Sequence, residues 1–321
     1  MFKLRLYIYV MFLCAANLLH AQDPYLTIKE SMPLYFNPAY AGNEHYTRAT
    51  LNYRNHYPTS GTSFATYSAS FDMYIDDYNS GVGITLMSDQ LGSKAYSYNT
   101  AGLYYSYKIV TGRENYVKAG LMANIFYGVN DPNGLSFPDM MNPDGSIDPN
   151  MYTYEKTTSF GADFGFGGLY VSKNFEVGGA VYHLGKANAK SYWNRPMRVY
   201  AHAEYTIPIL SGPQYAPRRG ISSYLNRSAL KPTVFFINQG KIYLWGIGAL
   251  YNFQDFKIGL YSRQNFEMNA VTASLQIGYT SELLNINYIY DMGFTGKNYR
   301  GLATSSHEIG ITFKFSTGVE Y

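Results

Sequence analysis

Apolar and polar side chains alternate along much of the chain, most regularly near its C-terminal end. In residues 306–315, one set of alternate positions is mostly apolar, and the other set is small, hydroxylic or charged. The first set is His307, Ile309, Ile311, Phe313 and Phe315, and the second is Glu308, Gly310, Thr312 and Lys314. Because successive side chains of a strand point to opposite faces, this strand suits a wall between hydrocarbon and water. The pattern predicts an all-β fold, a transmembrane antiparallel β-barrel.

The same alternation upstream predicts about fourteen strands within residues 47–315. They are residues 48–56, 63–74, 81–90, 96–108, 115–127, 157–171, 175–183, 197–207, 229–238, 242–253, 256–263, 268–279, 283–291 and 305–315. An even number of strands returns both ends of the wall to the periplasm. Residues 57–62, 91–95, 128–156, 184–196, 239–241, 264–267 and 292–304 are then expected outside. The 208–228 connection is long for the periplasmic side, where turns are normally short.

Residues 1–21 read as a signal peptide. Lys3 and Arg5 precede an apolar run, and Ala21 is a small residue at a plausible cleavage point. Cys14, the only cysteine, lies within this segment, so the mature chain is expected to have neither a disulfide nor a cysteine metal site. A signal peptide followed by a barrel indicates a Gram-negative outer membrane. The alternative is an N-terminal membrane anchor, for which the apolar run is short.

Residues 22–46 form an irregular leader that three prolines interrupt, which limits both helix and strand. This leader is expected on the periplasmic side. The alternatives are a chain end packed at the rim of the barrel, a periplasmic contact or a plug. Residues 316–321 form a C-terminal tail.

The composition fits a barrel better than a soluble enzyme. Charged residues make up 15% of the chain and aromatic residues 17%, with 35 tyrosines. Such aromatic content is typical of a wall with two interfacial belts. Removing Lys3 and Arg5 lowers the basic residues from 25 to 23 against 22 acidic ones, which leaves a formal charge of +1. That balance gives no support to nucleic-acid binding.

The charged residues predicted to face the lumen carry both signs, which favours ion pairs and water over a selective path. The inward set is Asp72, Lys118, Asp163, Arg198, His202, Glu204, Asn285, Asn287, Asp291, Glu308 and Lys314. His202 and Glu204 could form an acid–base pair, but no nucleophile accompanies them, and we expect no catalytic site.

Two further patterns have ordinary structural explanations. Asp139, Asp144 and Asp148 lack the spacing of a calcium loop and are typical turn residues. The glycines at 161, 165, 167 and 168 lie within a strand rather than before a helix, so they make room for rings or bends instead of binding phosphate. We therefore predict no metal and no cofactor.

The long 208–228 connection carries three arginines. Arg218, Arg219 and Arg227 could dock an acidic periplasmic partner, or they could simply be solvated.

Three short motifs together resemble the PorP/SprF family of type IX secretion system membrane proteins. The first is Asn37, Pro38, Ala39, Tyr40, Ala41 and Gly42, shortly after a Gln-Asp-Pro start. The second begins with Tyr53, Arg54 and Asn55, and the third with Ser306, His307 and Glu308. In the family the second motif typically continues with Gln-Trp, where this chain has His56 and Tyr57.

The resemblance implies an outer-membrane barrel without enzymatic activity that serves type IX secretion or gliding motility. It implies that the protein helps a secreted or surface-anchored cargo protein, and that it meets periplasmic or lipoprotein components of the machinery as well as outer-membrane lipid. The alternative is an outer-membrane channel or transporter for a small solute.

Overall fold

The computed structural model describes residues 23–43, 46–58, 64–92, 94–135, 154–184, 195–209, 228–266, 270–295 and 304–315, and residues 140, 142, 144 and 146. These residues contain one short α-helix, α1 (Pro33–Phe36), three single-turn 3-10 helices (Pro38–Tyr40, Asp76–Tyr78 and Pro132–Gly134) and fifteen strands. The strands are β1 (Thr47–His56), β2 (Phe64–Ile75), β3 (Ser80–Leu91), β4 (Tyr96–Val110), β5 (Tyr116–Asn130), β6 (Thr157–Val171), β7 (Phe175–Tyr182), β8 (Arg198–Tyr205), β9 (Ile207–Ile209), β10 (Ser228–Gln239), β11 (Ile242–Phe253), β12 (Phe256–Asn265), β13 (Ala270–Thr280), β14 (Leu284–Thr295) and β15 (Thr304–Phe315).

The strands form one closed antiparallel barrel. The last strand returns to the first, because β15 pairs with β1 from Thr47↔Phe315 to His56↔Ser306. Strands β8 and β9 both pair with β10 and are separated only by Thr206. Counting them as one position gives a wall of fourteen strands. The predicted fold class is confirmed.

Several strands are longer than the sequence pattern predicted. Strand β4 continues to Val110, which pairs with Tyr116, and β5 continues to Asn130. Strand β14 continues to Thr295. The predicted loops 128–156 and 292–304 were wrong at their first residues, because ladder hydrogen bonds continue where the hydrophobic alternation fades.

The two faces of the wall separate as the alternation predicted. On β5, the outward Leu121, Ile125 and Tyr127 are exposed, whereas Lys118, on the opposite face of the same strand, is 1% exposed. The other charged residues predicted to face the lumen are also buried. Among the described residues, no helix is long and apolar enough to cross a membrane. The exposed apolar side chains form the outer band of the barrel instead.

The two ends of the barrel differ. We call the end at which β1 begins and β15 ends the start mouth. Its connections are residues 76–79, 111–115, 172–174, 210–227, 254–255 and 281–283. The opposite end, the far mouth, carries the connections 57–63, 92–95, 131–156, 183–197, 240–241, 266–269 and 296–303. This assignment follows from the antiparallel order alone.

Residues 23–43 lie inside this wall and form a plug. Leu26, Met32, Leu34 and Phe36 are 0–2% exposed, and they pack on inward-facing side chains such as Tyr200. The structure differs here from the expected periplasmic leader. The physical reason is that the lumen offers this apolar segment burial, and it also offers inward side chains that bond to the backbone of the plug.

Glycines of the wall let the plug approach closely. A Cβ atom on Gly120 would lie 2.2 Å from the backbone nitrogen of Ala39. One on Gly167, the pairing partner of Gly120, would lie 2.2 Å from the side-chain oxygen of Asn37. A strand glycine commonly marks such an approach of another backbone. The glycine-rich part of β6 is therefore a surface on which the plug packs closely.

We expect Gly120→Ala to lower the free energy of unfolding by about 1–3 kcal/mol, because the new methyl group would force the plug from the wall. The measurement is thermal unfolding in detergent, followed by the mobility shift of the folded barrel on electrophoresis. Gly168→Ala is the matched control, since its Cβ would meet only Lys118 O at 3.9 Å. Equal stability of the two variants would contradict the close contact.

Candidate functional site in the lumen

Two of the three sequence motifs meet where the barrel closes. Arg54 of β1 forms ion pairs with Glu308 of β15 at 2.8 Å and with Asp291 of β14 at 2.7 Å. The same guanidinium donates to Ser306 Oγ at 2.8 Å. All four side chains are buried. The first and last strands are thus joined by side chains as well as by their backbone ladder.

The plug and a further strand complete this group. Thr27 donates its backbone N–H to Glu308 at 2.9 Å, and its hydroxyl contacts both Asp291 and Arg54. Arg263 of β12 contacts Asp291 at 2.9 Å and donates to the carbonyl of Thr27. We call this group the seam cluster: Thr27, Arg54, Arg263, Asp291, Ser306 and Glu308. Its two arginines and two carboxylates balance in charge.

The first motif anchors the plug near the start mouth. Asn37 donates to the carbonyls of Gly168 at 2.9 Å and Gly179 at 3.2 Å, and its side-chain oxygen accepts from Ala39 N. Asn37 therefore bonds to backbone groups of both β6 and β7. This explains why an amide, with donor and acceptor on one short side chain, stands at this position.

Tyr40 of the same motif joins a second charged group. Its hydroxyl lies 2.5 Å from Glu176 and 2.7 Å from Nε2 of His202. Lys29 of the plug lies 2.5 Å from Glu176 and 3.1 Å from Glu204. His202 and Glu204, the possible acid–base pair, are thus both occupied by plug residues.

The end of the motif is held by backbone contacts. Lys118 donates to the carbonyls of Ala41 at 2.7 Å and Gly42 at 3.1 Å. Gly42 donates its N–H to Asp72 at 2.8 Å, and Asp72 pairs with Arg48 at 2.6 Å. Gly42 has φ +54°, the left-handed region that favours glycine. Two inward residues predicted from β2 and β5, Asp72 and Lys118, therefore serve the plug.

The remaining motif residues do not join the lumen. Tyr53 faces outward, with its ring 5.0 Å from that of Tyr67. His307 also faces outward, and its Nδ1 lies 2.7 Å from the hydroxyl of Tyr288. Asn55 is half-buried on β1 and pairs with His307 in the ladder. These residues belong to the outer surface near the far mouth.

A third charged group holds the plug at the far mouth. Asp23 lies 2.5 Å from Arg195, 2.8 Å from Nε2 of His183 and 3.6 Å from Arg198. His183 also lies 2.7 Å from Asp163 through Nδ1. Burial lowers the pKa of His183, but the carboxylates of Asp23 and Asp163 outweigh burial and raise that pKa to about 9. We call Asp23, His183, Arg195 and Arg198 the latch.

Other residues singled out from the sequence lie apart from these groups. Asp144 accepts hydrogen bonds from the N–H and hydroxyl of Ser146 at 2.9 and 2.6 Å, which is turn geometry. Asp139 and Asp148 lie outside the described residues. Arg218, Arg219 and Arg227 also lie outside them.

Sequence reasoning singled out Asn37, Tyr40 and Gly42 in the plug but missed the plug side of the seam cluster and of the latch. Asp23, Thr27 and Lys29 were not singled out, and neither were Glu176 and Arg263 in the wall. The polar alternation of β1 and β7 is the one signal that could have placed Arg54 and Glu176 on the inner face. Ion pairs between the plug and the wall join residues more than a hundred positions apart, and no local pattern marks them.

This arrangement holds a segment of the chain itself, residues 23–43, against the wall. Among the described residues, no three His, Cys, Asp or Glu side chains are placed to hold a metal ion. The charged groups of the seam cluster and latch are directed at each other and at the plug. What they do chemically is to fix one segment of the chain inside the wall.

Comparison with solved structures finds outer-membrane barrels of low similarity. A structure described as the CymD monoaromatic hydrocarbon channel is 13% identical, with TM-score 0.49, and the match covers 88% of this chain and 91% of that one. Omp33 of Acinetobacter baumannii is 10% identical, with TM-score 0.46 and coverage of 84% and 99%. A FadL homologue of Pseudomonas aeruginosa is 12% identical, with TM-score 0.46 and coverage of 87% and 92%. No curated protein matches the chain.

The fold and its filled lumen define a plugged β-barrel of the outer membrane. Residues 19–313 match the family described as "Type IX secretion system membrane protein PorP/SprF". The chain belongs to this family, and the resemblance of the three motifs is confirmed.

We expect Arg54→Met to lower the free energy of unfolding by about 3–5 kcal/mol, because it leaves Glu308 without its buried partner. The double variant Arg54→Met with Glu308→Gln should recover part of this loss, since the orphaned charge is removed. Thermal unfolding in detergent measures both, with the exposed Arg113→Met as control. If Arg54→Met matched Arg113→Met, the seam cluster would not stabilise the barrel.

The latch should give the barrel a pH-dependent stability. The pKa of His183 in the folded protein lies above its ordinary value of about 6.5. Its stabilising contribution is therefore full below about pH 6.5 and is lost as the pH rises through about 9, with an upper limit of about 3 kcal/mol. Unfolding measured from pH 6 to 10 tests this against His183→Gln. The same pH response in that variant would assign the effect to other groups.

Proposed function

We propose that the protein is a non-enzymatic anchor of the type IX secretion or gliding motility system, which helps secrete a partner surface protein or hold it at the cell surface. Its wall and plug act as a rigid base, and its connections supply the contacts with partners. A closed wall is suited to this work, because it fixes irregular loops at both faces of a membrane.

The occupied lumen is the observation that carries this proposal. The plug contacts inward residues of strands all around the wall, from Arg54 on β1 to Glu176 on β7 and Glu308 on β15. Between the plug and the wall, the described residues enclose a cavity of about 50 Å³ beside Asp23, Met32 and Tyr182. That space suits a few water molecules. An anchor needs no path through the barrel, whereas a channel does.

The 131–156 connection at the far mouth is the first candidate for contact with cargo. Its base is fixed, because Asn133 donates to the carbonyl of Tyr154 at 2.9 Å and accepts from its N–H at 2.8 Å. Lys156 lies 3.7 Å from Asp131 across the same base. These contacts hold the two ends of the connection together at the far mouth. Residues 292–304 are the second candidate.

The start mouth is the candidate face for periplasmic or lipoprotein components of the machinery. Arg218, Arg219 and Arg227 of the 210–227 connection remain the candidate contacts there. The sequence analysis expected contacts with periplasmic partners from both the 22–46 leader and this connection. Because the leader lies in the lumen, we assign these contacts to the connection.

Absence of catalysis is part of the proposal. His202 contacts Tyr40 and Glu176, and Glu204 contacts Lys29 and Lys231. An acid–base pair engaged in this way has no open side for a substrate. We expect the purified barrel not to hydrolyse dispersed phospholipid. Hydrolysis that His202→Ala abolished would overturn this part.

Affinity isolation from native outer membranes, with mass spectrometric identification, tests the anchor function. Replacing residues 136–153 with a short Gly-Ser linker should remove surface or secreted proteins from the isolate, because the linker lacks their contacts. Replacing residues 212–226 in the same way is the matched variant, and it should remove periplasmic components only. Both variants must retain the folded-barrel mobility shift. An isolate from the unaltered protein without any secretion, motility or surface protein would contradict the proposal.

Planar bilayers test the rival function, a channel for a small solute. The unaltered barrel should give no steady large conductance, because the plug fills the lumen. Steady openings in the unaltered protein would favour the channel instead.

A further inference from the structure

The two ends of the plug lie at opposite mouths of the barrel. Its C-terminal end lies at the start mouth, where Asn43 accepts from the hydroxyl of Tyr116, the first residue of β5. Gly42 bonds there to Asp72, near the end of β2. Its N-terminal end lies at the far mouth, where Asp23 contacts His183, just beyond β7, and Arg198, the first residue of β8.

Contacts between these ends follow the same course. Leu26 packs with Phe235 and Ile237, in the half of β10 that approaches the far mouth. Ile28 packs on Tyr261 and Ile289, at the middle of the wall. Ala39 lies on Gly120, only four positions from the start of β5. The segment therefore crosses the whole height of the lumen.

Both ends of this crossing are fixed. At the far mouth, Asp23 carries the ion pairs of the latch, and its own N–H donates to Gln239 at 3.1 Å, at the end of β10. At the start mouth, Lys118 and Asp72 hold the backbone of Ala41 and Gly42. Bonds of this kind, between side chains that are at most 12% exposed and the plug, tie the chain to a position at each mouth.

We infer that the mature protein displays the start of its chain at the cell surface, although its first strand begins on the periplasmic side. In barrels with an even number of strands, the ends of the wall face the periplasm. The start mouth is then periplasmic, and the far mouth, with the latch, is external. Asp23, which the latch holds beside His183 and Arg195, therefore lies at the external mouth.

This placement gives the external surface a component that comes from the plug. A macromolecule bound at the far mouth would meet the N-terminal end of the chain beside the latch. The inference concerns the path of the chain and does not depend on the anchor function.

Single cysteines test the path, because Cys14 is the only native cysteine and lies in the predicted signal peptide. In one variant, Ser-Cys-Ser is inserted between Gln22 and Asp23, so that the predicted cleavage point after Ala21 and the first residue beyond it are unchanged. In its matched partner, Asn43→Cys marks the start mouth. Lys241→Cys and Arg113→Cys are exposed references for the far and start mouths. Each variant is treated with a membrane-impermeant maleimide on intact cells and after lysis.

The inserted cysteine and Lys241→Cys should react as fully on intact cells as after lysis. Asn43→Cys and Arg113→Cys should react only after lysis. The inference is overturned if the inserted cysteine reacts only after lysis, or if Lys241→Cys is shielded on intact cells while Arg113→Cys reacts. An epitope inserted at the same place, with the barrel's folded mobility retained, gives a second measurement through antibody binding to intact cells.

Discussion

A charge taken out of water must find a partner, and this requirement shapes the interior of the barrel. Removing ions from water costs several kcal/mol each unless opposite charges and hydrogen bonds replace the solvent. Arg54 meets Glu308 and Asp291, and Lys29 meets Glu176 and Glu204. In two of these four pairs the partner, Lys29, comes from the plug, so the plug replaces water beside the charged residues of the wall. The polar inner face of the wall can then be buried as deeply as an apolar core.

The charged groups divide the work between them. The seam cluster joins the first strand to the last two and to Thr27, near the N-terminal end of the plug. The latch and the group around Asp72 and Lys118 hold the plug at the two mouths. Apolar contacts, such as Leu26 and Met32 against Tyr200, fill the space between. The interior is consequently a protein interface within one chain, with the same mixture of apolar core and paired charges that joins separate proteins.

The wall could be predicted from the sequence, because alternate residues of each strand are apolar where they face outward and polar where they face the lumen. The alternation in β5 separated Lys118 from Leu121 correctly, and the three motifs indicated the family. The position of the plug could not be predicted from it. Residues 23–43 contain three prolines and no regular period, and their contacts with Glu308 or Glu176 depend on how the barrel closes. Arg263 and Asp23 gained their roles only from that closure.

The crossing of the plug also limits the order in which the molecule can be put together. A segment whose two ends emerge at opposite mouths cannot be slipped sideways into a finished ring. Either it is drawn lengthwise through the closed barrel, or the ring shuts around it. The hydrogen bond from Thr27 to Glu308 links the segment made first to the strand made last. That link favours the second route, in which the plug is in place first and the last strand closes the barrel around it.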